Sequence, residues 1–384
     1  MNKKNQNPEI QMEAPAKKTK KKKKGSGILG RIIRRFFLLL FTIVILAVVA
    51  LVLVMNMIFN GPSPAAQEIL TMSLIEASAT KWVPALFIGE ERVAEIQSTV
   101  NAELPSEVTD TTKVVIQKGS AITSNTDEWA KDPDGIRIEH IPGDTYNAHV
   151  MIVRDPSTVY MGTSTEKFST SIPGKRITEM MESTPDAIAA VNAGAFFDDG
   201  TASATVGSYP LGLVMSGGNC VWSSGKQPGL EGFAGFNKDN ILVVSAKNLT
   251  KAEAEEMNIR DGCCFGPALI VNGEVNMEAY NNNSGWNPRT AIGQRADGAV
   301  IFVCIDGRQV GSPGGTYADV INIMVEYGAI NACNMDGGSS SVMMYRDTLG
   351  KLGTAGEVQM INNYSLLQSQ PRRMPNFWMV RKAQ

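Results

Sequence analysis

The chain is poor in histidine and lacks the familiar catalytic signatures. It holds two histidines, His140 and His149, among 384 residues. Both fall in runs that read as strands, so chemistry built on a cluster of histidine ligands has little to work with. There is no His-Glu-x-x-His, and no Gly-x-Ser-x-Gly to give Ser339, Ser340 or Ser341 a nucleophile elbow. A Ser–His–Asp triad through His149 has no local support. The glycine-rich stretches lack the Lys-Ser/Thr ending of a nucleotide P-loop. Five cysteines form no Cys-x-x-Cys: Cys263 and Cys264 are adjacent, and Cys220, Cys304 and Cys333 stand alone. Cys304 and Cys333 sit in apolar runs and read as small core residues. A disulfide stays open, because the compartment argued below lies outside the cytoplasm.

Charge is unevenly placed. Residues 1–35 carry twelve Lys/Arg against Glu9 and Glu13, or +10, which leaves −12 for the rest of a chain of net charge −2. A nucleic-acid reader is basic over its folded part. Here that part is acidic, and no nucleic acid is expected as a partner.

Phe36 to Asn60 has no charged residue. At about 1.5 Å per residue it is long enough to cross a hydrocarbon core of roughly 30 Å. It exceeds the apolar region of a cleavable signal peptide, the alternative reading, and Val54 to Phe59 makes a poor cleavage site. The basic residues on its N-terminal side orient the chain with its N-terminus cytoplasmic and its bulk extracellular, as a single-pass membrane protein. The expected organisation is a disordered basic tail over 1–31 and a transmembrane helix over 32–59. A juxtamembrane helical stalk follows over 60–133, and a folded domain over 134–384. In the stalk, helical spacing over 65–78 and 89–99 predicts two helices with Pro84 between them.

The chemistry gathers between Asn287 and Met344. Ile301 to Ile305 is an apolar strand-like run that exits into Asp306-Gly307-Arg308. After Ser312-Pro313-Gly314-Gly315, Thr316 reads as the N-cap of a helix with Val320, Ile321, Met324, Val325 and Tyr327 at helical spacing, stopped by Gly328. Ala329 to Met335 is a second apolar run, and it exits into Asp336-Gly337-Gly338-Ser339-Ser340. A strand–helix–strand unit of this kind predicts parallel pairing with both loops at one sheet edge. One Asp-Gly is ordinary turn chemistry. Two in one unit, with Arg289 just upstream, point to a site, since glycines admit close approach and successive N–H groups form anion nests.

Other strands are expected over 136–141, 146–153, 159–162, 187–192, 211–215, 233–236 and 241–244, with a hairpin around Asn272-Gly273 and short helices over 177–182 and 252–257. The fold class is α+β (mixed α/β), a mixed sheet core with packed helices.

Several pieces together resemble the phosphodiester glycosidase family, here in a membrane-anchored bacterial form. They are Arg289-Thr290-Ala291-Ile292-Gly293, Asp306-Gly307-Arg308, the helix unit from Gly314 to Gly328, and Asn334-Met335-Asp336-Gly337-Gly338-Ser339-Ser340. Val191 to Phe197 resembles the family's Asn-Gly-Gly-Phe-Phe signature, with Ala193 and Ala195 as departures. Gly266 to Ile270 and Arg373 to Asn376 also fit, and the resemblance spans roughly His140 to Val380. It implies hydrolysis of the glycosidic bond of a sugar-1-phosphodiester, of the N-acetylglucosamine-1-phosphate type, in a surface or exopolysaccharide glycopolymer.

The residues suit that chemistry. A phosphate leaves as a stable anion and asks for charge neutralisation more than for a strong acid. Arg289 can supply a bidentate fork, and Thr316 with the Gly337-Gly338-Ser339-Ser340 nest can supply N–H groups. Asp306 and Asp336 are candidates for nucleophile or base. Asn192, with Gly194 and Asp198 in the same loop set, would position sugar or phosphate, as would Thr290 and Arg308. Trp286 is the candidate for stacking a sugar ring. No cofactor is required; a divalent cation (Ca or Mg) on Asp306 and Asp336 is compatible with their hard oxygens.

Structural roles compete with these. Arg289 could bridge to Asp306 or Asp336, Asn192 could cap a strand end, and at least one of Phe196 and Phe197 should be core. Two other functions fit as well. One is a glycan-binding or envelope-assembly module in which Ala193 and Ala195 block close approach. The other is a metal-dependent phosphodiesterase that cuts P–O.

Overall fold

The computed structural model describes residues 28–77, 79–100, 108–114, 129–169, 171–197, 206–225, 231–364 and 370–383. They fall into two compact units, one ending at Met55 and one running from Asn56. In chain order the elements are α1 (Ile28–Phe59), α2 (Pro64–Ile75), α3 (Val83–Val100), β1 (Ile136–Pro142), β2 (Asn147–Val153), β3 (Val159–Thr163), α4 (Ile177–Ser183) and β4 (Ala187–Asn192). Next come β5 (Leu213–Ser216), β6 (Asn219–Ser223), β7 (Phe233–Asn237), β8 (Leu242–Ser245), α5 (Lys251–Glu256), β9 (Ile259–Cys264), β10 (Ala268–Val271), β11 (Glu274–Val275) and α6 (Met277–Asn281). The last are β12 (Arg289–Arg295), β13 (Val300–Ile305), α7 (Tyr317–Glu326), β14 (Ala329–Met335), β15 (Met343–Arg346), β16 (Val358–Met360) and β17 (Asn376–Arg381).

Three sheets form, ordered β1-β2-β13-β12-β14-β10-β11, β16-β15-β4-β17-β3 and β6-β5-β9-β7-β8. Their inner faces share one apolar core, to which Met151, Val191, Phe236, Phe302, Met335 and Trp378 all contribute. The outer faces are covered separately: the first sheet by α6 and α7, the second by α4 and the third by α5. This is an α+β architecture in which each helix hides a face that would otherwise be wet.

Helix α7 shows how the sequence makes such an element. Thr316 accepts from the Asp319 N–H, and the Asp319 carboxylate accepts from the Thr316 N–H, closing a capping box. Val320, Ile321, Ile323 and Met324 are buried, while Val325, expected on that face, is 51% exposed. The positions three and four on from Val320 face the sheet, and the fifth faces out. Gly328, at φ 77°, ends the helix.

The parallel pairing expected of β13 and β14 is not what forms. β12 lies between them and is antiparallel to both, with Thr290 opposite Cys304 on one side and Met335 on the other. Two strands antiparallel to one neighbour run the same way, so the shared edge holds and the direct hydrogen bonding does not. Arg289 to Gly293 are buried throughout, as a central strand covered on both faces requires.

Pro84 also acts differently from expectation. It lies in the first turn of α3, where its fixed φ suits a helix start. The break falls on Gly89 instead, at φ 78° and ψ 158°. Helix α1 contains the expected span and is long and apolar enough to cross a membrane, a test that a signal sequence also passes. The basic tail ahead of it lies outside the described residues.

Candidate functional site

The start of β12 and the ends of β13 and β14 meet at one edge of the first sheet, which brings the neighbourhoods of Arg289, Asp306 and Asp336 together. Strand alternation then separates two of them. Arg289 lies opposite Ile305 and faces the helix side of the sheet, so Asp306, one residue on, faces the other way. The bridge between them does not form.

Arg289 is 2% exposed and its donors are fully engaged. Nε donates to the Gly315 carbonyl at 3.1 Å, and Nη2 to the Ser284 and Gly285 carbonyls at 2.6 and 3.1 Å. Nη1 meets both carboxylate oxygens of Glu76 at 3.2 and 3.3 Å. The guanidinium lies 4.5 Å over the Tyr317 ring. Burial pulls its pKa down, and Glu76 and Tyr317 more than offset that, so the net direction is up. Glu76 follows α2, which rests on the loop before Arg289. Asn283 donates to Glu68 at 2.7 Å, the Trp286 N–H donates to Ser73 Oγ at 2.9 Å, and a Cβ on Gly285 would sit 2.5 Å from the Ser73 nitrogen.

Asp306 is 1% exposed. Oδ2 is 3.2 Å from His149 Nε2 and accepts from Asn363 Nδ2 at 2.8 Å, and Oδ1 accepts from the Asn363 N–H at 2.9 Å. His140 packs on His149 with ring centroids 5.0 Å apart. Among the described residues no three His, Cys, Asp or Glu side chains converge as a metal group. The Asp306 oxygens are met by His149 and Asn363.

Asp336 is half-buried at the head of its glycine loop. Its N–H donates to the Ala193 carbonyl at 3.0 Å, and its carbonyl accepts from Asn192 Nδ2 at 2.6 Å. Asn192 Oδ1 accepts from Thr290 Oγ1 at 2.8 Å and from the Val342 N–H at 3.0 Å. Asn192 and Thr290 therefore act from within the core, as a strand-end clamp under the loop. Gly194 is pinned by its N–H to Asn376 Oδ1 at 2.8 Å, and a Cβ there would come 2.8 Å from that of Cys263. The Ala193 and Ala195 methyls are buried in the protein, so the two departures from the family signature do not stand in the solvent-facing mouth.

Gly337 and Gly338 pack on Pro288, whose carbonyl accepts from the Gly338 N–H at 2.8 Å. Gly338 has φ 60°, and a Cβ there would lie 3.1 Å from Arg308 Nη2; only glycine meets both demands. Arg308 itself takes φ 58°, a backbone state that bulky residues seldom adopt. Its Nη2 donates to Asn287 Oδ1 at 3.2 Å. Arg308 is exposed as a residue; the protein around its guanidinium partly desolvates it and holds it below the usual arginine range, with Glu76 and Asp336 pulling up and Arg289 pulling down. Among the described residues the buried Asn287 Nδ2 has no partner, and neither do Ser340 Oγ and Ser341 Oγ.

Ser339 is gripped from its far side. Its carbonyl accepts from the Tyr364 hydroxyl, and its Oγ from Arg372 Nη1 at 3.3 Å. Thr316 serves its helix, and the neighbouring Tyr317 N–H is taken by Ser284 Oγ at 2.9 Å, so this N-terminus is closed by the protein itself. Trp286 is 41% exposed. Asp198 lies outside the described residues. Sequence reasoning missed Glu76, Asn287, Tyr364 and Arg372. Only Arg372 carried a local signal, as the residue before the Arg373-Met374-Pro375-Asn376 motif.

A family model described as phosphodiester glycosidase matches residues 185–381, a little over half of the chain. The chain belongs to the phosphodiester glycosidase family. Among solved structures it is similar to the zebrafish N-acetylglucosamine-1-phosphodiester alpha-N-acetylglucosaminidase catalytic domain, auto-inhibited by its pro-peptide. The TM-score is 0.50 and the identity 20%, over 75% of this chain and 93% of that one. At that identity the likeness speaks for the fold. A hypothetical protein from Synechocystis matches at TM-score 0.41 and 16% identity, over 64% and 62% of the two chains. An uncharacterised SPbeta prophage-derived protein of Bacillus subtilis, YomE, is 25% identical over 216 residues, or 55% of this chain. The match spans 29% of that relative's length.

Proposed function

We propose that this phosphodiester glycosidase is a membrane-tethered hydrolase with its folded unit outside the cytoplasm. It cleaves the bond between a sugar's anomeric carbon and the oxygen of a phosphodiester, of the N-acetylglucosamine-1-phosphate type, in a surface or exopolysaccharide glycopolymer. The observation that carries the reading is the Glu76 carboxylate seated on Arg289. An internal anion held bidentately by a buried guanidinium, with Arg308 close by, marks a site built for an oxyanion.

In this reading the substrate phosphate replaces the Glu76 carboxylate. Arg289 and Arg308 neutralise it, and Asn287 Nδ2 supplies a further donor. The bond to the anomeric carbon then breaks through an oxocarbenium-like state, and the phosphate departs as an anion. Asp336, at the mouth, is the carboxylate that attacks C1 or activates water. Asp306 is a positioning residue: through Asn363 and the neighbouring Tyr364 it ties the 362–364 strap to the Ser339 end of the glycine loop. The zebrafish domain is described as auto-inhibited by its pro-peptide. Here the segment carrying Glu76 takes that part, and substrate enters when it leaves.

The test is sugar release from N-acetylglucosamine-1-phosphodiesters by the full chain in detergent, with and without chelator. Release that persists in chelator and is lost in Asp336→Asn supports the reading. Release that needs a metal favours the phosphodiesterase, and binding without release favours the glycan-binding module.

A further inference from the structure

Helix α3 and the turn before it carry their apolar side outward ahead of Gly89 and inward after it. From Glu90 on, the exposed positions include Glu90, Glu91 and Glu95, and Val93 and Ile96 are buried. That is the arrangement of a helix in water. Ahead of Gly89 it reverses. Trp82 to Gly89 carries no charge. Trp82 and Leu86, four residues apart and so on one face, are 60% and 70% exposed. Gly89 sits at the change. Its φ of 78° and ψ of 158° break the helix, and a Cβ there would meet nothing within 4 Å. The glycine serves the change of direction and not the packing.

The reversed stretch lies where α1 ends. Phe87 stacks on Phe59, the last residue of α1, with centroids 5.1 Å apart and planes within 16°. Gln67 Nε2 donates to the Phe59 carbonyl at 2.6 Å, and Gln67 Oε1 accepts from Arg92 Nε at 3.1 Å. One glutamine of α2 thus fastens the last residue of α1 to α3. A charge-free run that crosses a hydrocarbon core of roughly 30 Å reaches the membrane surface at this end. Leu86, next to Phe87, is then level with the boundary between acyl chains and headgroups.

The chemistry of the patch suits that level. The Trp82 indole N–H donates to the Ala79 carbonyl at 3.0 Å, so the ring enters an apolar medium with no unmet donor. Lys81 beside it is exposed and matches a lipid phosphate. Single exposed apolar residues are ordinary. A paired Trp and Leu in a charge-free stretch at the end of a span is the composition of an interfacial belt. Two side chains fall far short of the roughly 800 Å² per partner that a stable protein interface buries.

We propose that Trp82 and Leu86 form a membrane-contact patch that enters the outer leaflet of the bilayer crossed by α1. The partner is a lipid surface, and the contact sets the α2–α3 pair down on it. This rests on the membrane tether of the reading above and extends it to a second, peripheral contact.

The experiment places the full chain in phosphatidylcholine vesicles whose acyl chains are brominated either near the headgroup or near the chain end. The α1 segment holds no tryptophan, so the span itself contributes no quenching. Flotation of the vesicles reads the tether, and tryptophan emission reads the patch. Bromine near the headgroup should quench about twofold more than bromine at the chain end. Trp82→Phe should remove that quenching, and Leu86→Glu, at an exposed position that folding tolerates, should weaken it. A chain that floats but shows no quenching, or the same quenching in Trp82→Phe, overturns the patch and leaves the tether standing. A chain that does not float overturns both. Quenching absent, with sedimentation of the detergent-solubilised chain altered by Leu86→Glu, would assign the patch to a second copy and overturn the lipid contact.

Discussion

Glu76 and Arg289 are 213 residues apart in the chain and bound to each other at 3.2 Å. The contact joins the segment just beyond α2 to the first residue of the strand on which the glycine loops converge. A buried arginine with three carbonyl partners and one carboxylate is a positive charge whose counter-ion comes from a separable element.

Glu76→Gln should therefore lower stability by about 1–2 kcal/mol, since the pair is only partly shielded on the Glu76 side. It should also open an anion site. Millimolar inorganic phosphate should then raise the melting temperature of the variant by several degrees more than that of wild type. Thermal shift in both proteins reads this directly, and equal shifts would sink the idea.

Asn192→Ala removes three hydrogen bonds from a fully buried side chain and strands their partners. The expected loss is about 2–4 kcal/mol in urea unfolding, with kcat falling because the Asp336 loop is no longer held. Thr290→Val removes one of the three and should cost about 1 kcal/mol. An Asn192→Ala protein as stable as wild type would contradict the clamp.

Gly338→Ala puts a side chain on a left-handed backbone and against Arg308. The backbone alone should cost about 1–2 kcal/mol. Displacement of Arg308 should appear as a raised KM for phosphodiesters. A variant with normal KM would remove Arg308 from the anion site.

Asp347 accepts from the Lys351, Leu352 and Gly353 N–H groups at 2.8, 2.7 and 3.1 Å. Burial pushes its pKa up, and those donors more than offset it, so the carboxyl lies below its usual range. With a folded pKa below the unfolded value of about 3.9, the unfolded state binds more protons as acid is added. Its contribution is present above that value and lost as pH falls through the folded one. Melting temperature between pH 2 and pH 6 should fall less steeply in Asp347→Asn than in wild type.

Much of this was legible in the sequence, for stated physical reasons. β4 and β13 are nearly continuous apolar runs, β14 is apolar but for Asn331 and Asn334, and α7 carries its own cap and stop. The Asp-Gly exits gave away the shared edge. The insertion of β12 between β13 and β14 was not legible, because pairing partners are chosen by packing and not by local pattern. β9 was hidden by Arg260, Asp261 and Gly262, which interrupt its apolar character; Asp261 is buried and accepts from the Met161 N–H at 3.0 Å. The bridge that Arg289 could have made to Asp306 does not form, since alternation along the strand turns Asp306 to the opposite face. Nothing local marks Glu76, which acquires its meaning only where α2 comes to rest.

The most direct test of the central claim is which bond breaks. Hydrolysis of an N-acetylglucosamine-1-phosphodiester in oxygen-18 water, read by mass spectrometry, separates the two chemistries. Attack at the anomeric carbon puts the label in the released sugar and none in the phosphate, and that is the predicted result. Label in the phosphate would mean that the P–O bond is cut, and the glycosidase account of Arg289, Arg308 and Asp336 would be wrong.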